Sequence, residues 1–310
     1  MSLGEIDLAL SLGGLVAGVM VGLTGMGGAA LVTPMLVLIF GISPAAAVSS
    51  DVVASAIMKP VGALVHIRSK TVHWGIVGWL SLGSVPGVIA GTVIFGRVLS
   101  GSDAGKTIQA WLGWVLIVAL AAMLARTWLS ARASRRGVQE STGREQSVRP
   151  FLTMVLGASV GLVVGMTSVG SGSLIVTCLL LLYPLLRPSF IVGTDLTQAV
   201  PMLIAGAIAH AGFGSVSIAV VVSLLMGQIP GVWIGARLSS RYDGHMLRWL
   251  LMVVLAATAL KLLGVSSLIT GMIAIVGVAL VALLILRERM SSPGASPDFG
   301  SLSPEPTSRR

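Results

Sequence analysis

Along the 310 residues, apolar runs occupy about 8–23, 29–40, 45–66, 74–96, 108–130, 151–167, 173–184, 189–210, 216–238, 246–263 and 267–286, with polar or glycine-rich stretches between them. Most of these runs approach the roughly twenty residues that carry an α-helix across a bilayer. The pattern therefore predicts an all-α chain, a polytopic transmembrane helical bundle. The runs 29–40 and 173–184 hold only a dozen residues each, too few to cross comfortably, and each follows a break that is poor helix: TGMGG (24–28) and TSVGSG (167–172). Backbone that leaves the helix inside a membrane is tolerated only against protein or beside water. Residues 8–40 and 151–184 are accordingly expected to form two broken or re-entrant hairpins, with their tips near mid-membrane.

The same pattern occurs twice. VSSDVVASAIMKPVGALVH (48–66) matches VGTDLTQAVPMLIAGAIAH (192–210) at a shift of 144, which carries Asp51 to Asp195, Gly62 to Gly206 and His66 to His210; Pro86, Gly87 and Gly91 move onto Pro230, Gly231 and Gly235. Upstream, a shift of 143 takes Gly14, Gly18, Gly22, Thr24 and Gly27 onto Gly157, Gly161, Gly165, Thr167 and Gly170. Glycines four residues apart let helix backbones approach closely in lipid. The chain divides into a first repeat with a trailing helix (1–130), a basic linker (131–150), a second repeat (151–245), two additional helices (246–290) and a tail (291–310) whose composition is that of a disordered segment.

Composition adds the solvent: 55% of residues are hydrophobic and 10% charged, far below the charged fraction of a soluble domain. The net charge of +9 is distributed in alternate loops. Arg68 and Lys70 lie in one, Arg132, Arg135, Arg136, Arg144 and Arg149 in the linker, Arg237, Arg241 and Arg248 in a third, and Arg287, Arg289, Arg309 and Arg310 at the end. Cytoplasmic placement of these groups satisfies the positive-inside rule, with Arg97 and Lys106 as exceptions, and puts the N-terminus outside and the C-terminus inside. The loop after His66 is then inside and the uncharged loop after His210 outside, so the repeats have opposite topology, the sign of a secondary transporter with its site at the repeat interface. No basic stripe interleaves with aromatics, which argues against nucleic acid. The lone cysteine, Cys178, excludes an intrachain disulfide and a multi-cysteine metal site; neither metal nor cofactor is expected, and the opening MSLGEIDLALS lacks the form of a removable signal peptide.

The order of these motifs resembles the TauE/SafE family of sulfite and organosulfonate exporters: a glycine-rich first helix, a G-x-x-G-x-G-G type break, a short helix ending near GISP, an AVSS stretch, a helix closing in H-x-R, and a second copy with VGTDL and A-x-x-H. The resemblance spans residues 8–245. It implies an inner-membrane carrier of a bacterial cell that moves small sulfur-containing anions such as sulfite or sulfoacetate without ATP. Asp51, where a small polar residue is expected, and Ser171, in place of a glycine, depart from the pattern.

For the chemistry, a small oxyanion must exchange its water for hydrogen bonds, and the helix N-termini just past the breaks, near Ala29 and Ser173, offer amides and a positive dipole end. Thr24, Ser49, Ser50, Thr167, Ser168, Ser171 and Thr194 would add hydroxyls; Gly25, Gly27, Gly28, Gly170, Gly172 and Gly193 would let backbone approach the ligand. Asp51 and Asp195 have two readings of equal weight, carriers of a coupling proton or structural carboxylates. Lys59 would attract the anion or, the reading preferred, snorkel to the interface. His66 and His210 are gates or proton relays on one reading, interfacial histidines on the preferred one. Gln198, Pro60 and Pro201 are assigned to local geometry. The partners expected are a small anion and the bilayer; a homo-oligomer is compatible with the pattern. An anion channel is the nearest alternative, and an intramembrane serine hydrolase built on Ser171 and His210 is disfavoured because the two are assigned to different depths.

Overall fold

The computed structural model describes residues 7–24, 29–99, 103–135, 147–170, 172–213, 215–239 and 245–291. Among them the regular elements are α1 (Leu8–Thr24), α2 (Ala29–Leu38), α3 (Pro44–Arg68), α4 (Trp74–Leu99), α5 (Ala104–Arg135), α6 (Pro150–Thr167), α7 (Ser173–Leu182), α8 (Pro188–Ala211), α9 (Ile218–Ser239), α10 (His245–Leu262) and α11 (Ser267–Ser291). The fold is all-helical, as the periodicity predicts, and six of these helices are long and apolar enough to cross a membrane. Their starts carry local signals. Asp7 Oδ1 accepts the amides of Ala9 and Leu10 at 2.9 and 3.2 Å and so caps α1, Ser43 caps α3, and Pro44, Pro150 and Pro188 open three helices at a position where the missing N–H costs no bond. α3 and α8 continue through Pro60 and Pro201. Large apolar side chains such as Trp74, Trp114, Phe151 and Ile208 cover the outer surface, as hydrocarbon rather than water demands.

The second hairpin returns to the side it started from: the hydroxyl of Tyr183, just past α7, lies 2.6 Å from Thr153 Oγ1 and 2.9 Å from the amide of Arg149, both at the start of α6. The first does likewise, with Met35 and Phe40 at the far end of α2 against Gly13 near the start of α1. Both are re-entrant in form.

The repeats do not sit side by side as two bundles. The most extensive packing joins α4 to α6 and α1 to α9, and α3 to α8, so each hairpin is embraced by a helix of the other half. Glycines make this possible. A Cβ on Gly14 or Gly18 of α1 would stand 2.7 or 2.5 Å from the carbonyls of Leu224 and Gln228 in α9. Gly227 and Gly231 face Ser11 and Leu15 in return, and Gly83, Gly87 and Gly91 of α4 face Met154, Ala158 and Leu162 of α6. The paired numbers rise together, which makes α1 parallel to α9 and α4 parallel to α6. Along α3 and α8 they run oppositely: Ser49 meets His210, Val52 meets Gly206 and Gly62 meets Leu196. Because α3 and α8 are the matched copies, their antiparallel contact has the sense expected of inverted repeats. Packing also sets α10 against α5, and α10 near α1 and α2 as α5 is near α6 and α7.

Candidate functional site

The second break is real backbone irregularity. Ser168 adopts the left-handed conformation (φ 62°), and Gly170 and Gly172 have φ of 124° and 114°, values that a side chain opposes. For Ser168 the cost is offset by a buried bond: its hydroxyl donates to Asp51 Oδ2 at 2.9 Å, and Thr33 of α2 donates to the same oxygen at 2.7 Å. Asp51, wholly buried, thus ties α2, α3 and the α6–α7 break together. The N-terminus of α7 has no side-chain cap, and Leu174 donates its amide to the Gly170 carbonyl at 3.2 Å.

Several hydroxyls singled out by sequence serve as braces. Ser50 Oγ accepts the amide of Ser217, before α9, at 3.0 Å; Thr194 Oγ1 accepts that of His73, before α4, at 3.0 Å. Both pairs are related by the shift of 144 and reach across the repeats. Ser49 Oγ lies 3.0 Å from His210 Nδ1, while His210 Nε2 lies 2.9 Å from the Gly165 carbonyl. A carbonyl only accepts, so Nε2 carries the proton and Nδ1 accepts from Ser49. His210 is fully enclosed, with Phe95 edge-on at 5.0 Å between ring centroids; the sequence favoured an interfacial histidine because hydropathy alone cannot tell the end of a span from its inner face. His66 remains partly exposed and bonds Thr71 Oγ1 at 2.9 Å, with Gly193 pressed against its ring and the Thr71 carbonyl. Thr167 Oγ1 donates back to Val163 at 2.8 Å. Thr24 ends α1, and Gly25, Gly27, Gly28 and Ser171 lie outside the described residues.

Lys59 departs from the snorkelling expected of it. Its side chain is buried, 4% exposed, and its charge acts on Asp195 and Asp51. The reason is position: Lys59 lies near the middle of α3 on the face packed by α8, and the register set by Ser49–His210 and Gly62–Leu196 places it level with Gln198. Gln198 Oε1 accepts from Ser84 of α4 at 3.1 Å. Its side chain also stands within bonding reach of Asp195, one turn back on α8, and Asp51 Oδ1 is left buried without a hydrogen-bond partner. The second break thus stands beside Asp51, toward one end of the α3–α8 contact, and Asp195 holds the equivalent place toward the other; Lys59 and Gln198 lie between them, and Ser84 reaches in from α4. Sequence reasoning passed over Thr33, Ser84 and the importance of Gln198; the available signal was that Gln198 has only Ala54 as its counterpart.

Interlocked hairpins around a buried polar centre, with six helices among the described residues long and apolar enough to cross a membrane, are the architecture of a multi-pass membrane protein. The family model for the sulfite exporter TauE/SafE matches residues 10–262, and the chain belongs to that family; the match ends with α10 and leaves α11 outside. From Bacillus subtilis (strain 168), the protein named "Probable membrane transporter protein YjnA" is 34% identical over 83% of this chain and all of its own length. "Probable membrane transporter protein YunE" from the same organism is 24% identical over 75% of this chain and 87% of its own. No solved structure matches the chain.

Proposed function

We propose that this membrane transporter is a secondary carrier that exports a small sulfur-containing anion, sulfite, sulfoacetate or a related organosulfonate, across the bacterial inner membrane by alternating access coupled to protons. The observation that carries the reading is the buried centre between α3 and α8, where a lysine, two carboxyls and a glutamine sit in the interface of antiparallel copies. Intramembrane ionisable groups facing a bundle interior mark ion and substrate pathways, and two interlocked halves give such a centre a route to either face by rocking about it. The family name supports the sulfur anion. The charge distribution supports an N-terminus outside and a cytoplasmic C-terminus.

The hydrolase alternative rests on Ser171, which lies outside the described residues, and the serine within hydrogen-bonding distance of His210 is Ser49. That pair is sealed from any substrate and its histidine is spent on the Gly165 carbonyl, so it reads as a brace.

Reconstitution into liposomes tests the proposal. Uptake of sulfite and sulfoacetate is expected to saturate, to accelerate when the opposite side is preloaded with the same anion, and to respond to an imposed pH gradient. Flux that is linear in concentration without such exchange would make the protein a channel, and absence of flux for every sulfur anion would overturn the reading.

A further inference from the structure

Each copy closes its polar helix with a histidine near one face of the membrane, and the two ends are held by different chemistry. His210 of α8 is 0% exposed. Its Nδ1 accepts from Ser49 of α3 at 3.0 Å, its Nε2 donates to the Gly165 carbonyl of α6 at 2.9 Å, and Phe95 of α4 stands edge-on to the ring. Four helices, two from each copy, thus meet on one imidazole. The shift of 144 relates His210 to His66, Ser49 to Gly193 and Phe95 to Ser239. At that second end the histidine is partly exposed and bonds within its own copy, to Thr71 Oγ1 at 2.9 Å. Position 193 offers no hydroxyl, and the Thr71 carbonyl fills the space that a Cβ there would need.

The difference has an energetic consequence. Two inverted copies of identical sequence would close either end of the bundle equally well, so any preference between the two closed states must come from residues that differ between the copies. The braces Ser50–Ser217 and Thr194–His73 occur at both ends, each at 3.0 Å, and favour neither. The chain Ser49–His210–Gly165 occurs at one end and holds α3, α6 and α8 together there. Just behind it α3 and α8 close on each other, since a Cβ on Gly206 would stand 3.4 Å from Val52. Parting the helices at this end would let water serve every freed group, at the modest net cost of the bonds exchanged. Deleting one partner instead orphans the other in the closed arrangement alone, which tilts the balance toward the open one.

We infer that Ser49, His210 and the Gly165 carbonyl, with Phe95 against the ring, form an external gate, a latch that biases the resting carrier toward the state closed to the outside and that breaks once in each transport cycle. The charge distribution puts this end outside. The inner end lacks the latch and is the end that opens to the cytoplasm at rest, so the carrier waits with its centre toward the side from which an exporter loads. The braces common to both ends keep the helices in register while the latch opens. The inference rests on the alternating-access reading and adds to it which end is shut at rest and which bonds shut it.

The test uses the full-length chain with Cys178→Ala and one reporter at a time: Val52→Cys, just inside the latch, or Leu196→Cys, its counterpart at the other end. Labelling by an impermeant thiol reagent is timed from outside in intact cells and from the cytoplasmic side in everted vesicles, with and without sulfite. Ser49→Ala should raise the rate at Val52→Cys from outside about fivefold or more, the low end of what one unserved buried group costs, and should lower the rate at Leu196→Cys from the cytoplasmic side. His210→Leu, which removes both bonds, should shift the two rates in the same senses and further. A rise at both reporters means general loosening, and no change at either means an idle contact. Either result, in a protein where sulfite still moves the two rates in opposite senses, overturns the gate and leaves the carrier standing. Rates indifferent to sulfite, in a protein that gives no saturable flux of any sulfur anion in liposomes, would remove the reading on which the gate depends.

Discussion

Asp51 and Asp195 show how one residue type, at equivalent positions, is given two tasks by its neighbours. Asp51 Oδ2 takes two short hydroxyl bonds, and these fasten a left-handed serine that would otherwise be strained. Ser168→Ala is expected to destabilise the protein by about 1–3 kcal/mol, since a buried carboxylate oxygen loses a donor without regaining water; the fall in thermal midpoint of the purified protein in detergent measures it. Ser49→Ala should act on the same scale, because His210 Nδ1 is left without its donor while Nε2 stays on Gly165. The sequence could mark Asp51, Asp195 and His210 as unusual, being polar in apolar runs. It could not say which hydroxyl serves which carboxyl, because Thr33 and Ser168 approach Asp51 from segments far apart along the chain.

Among elements, the glycine rows of α1, α4, α6 and α9 carry the packing. Their spacing of four was readable, and so was the expectation of close helix contact; the partner was not, since each row is equally suited to any other row. The structure joins α1 to α9 and α4 to α6, crossing the repeats. Gly161 faces the Ser84 carbonyl with no room for a Cβ. Gly161→Val is therefore expected to force these backbones apart at about 1–3 kcal/mol or more, seen as early aggregation on heating. Gly78→Ala, on α4 with open space around it, should leave the midpoint unchanged or slightly raised, as alanine is the better helix former. The second break was legible as a glycine-dense interruption, and the hairpins as short second arms. That the second tip rests on Asp51, away from the middle of the α3–α8 pair, depends on the length of α6, which hydropathy fixes only loosely.

In the whole molecule, opposite orientation of the two copies is the property from which alternating access would follow. With Cys178 as the only cysteine, one substitution gives a cysteine-free background in which Lys70→Cys, after α3, and Phe213→Cys, after α8, are introduced singly. An impermeant thiol reagent is expected to label the second but not the first in intact cells, and the first in everted vesicles. Labelling of both from one side would contradict the inverted arrangement and the charge-based orientation together.

The sequence by itself determined the solvent, the helical class, the duplication, the position of the second break and the family, because each of these is written in local composition and in spacing along the chain. Hydrocarbon imposes its demands segment by segment, so the segments betray it. Only the tertiary structure decided that the halves interlock, that Lys59 turns inward instead of toward the interface, and that Gln198 meets Ser84 of α4. Those facts depend on which helices meet and in what register, and a side chain's partners inside a bundle are set by the helix across from it, not by its neighbours in sequence.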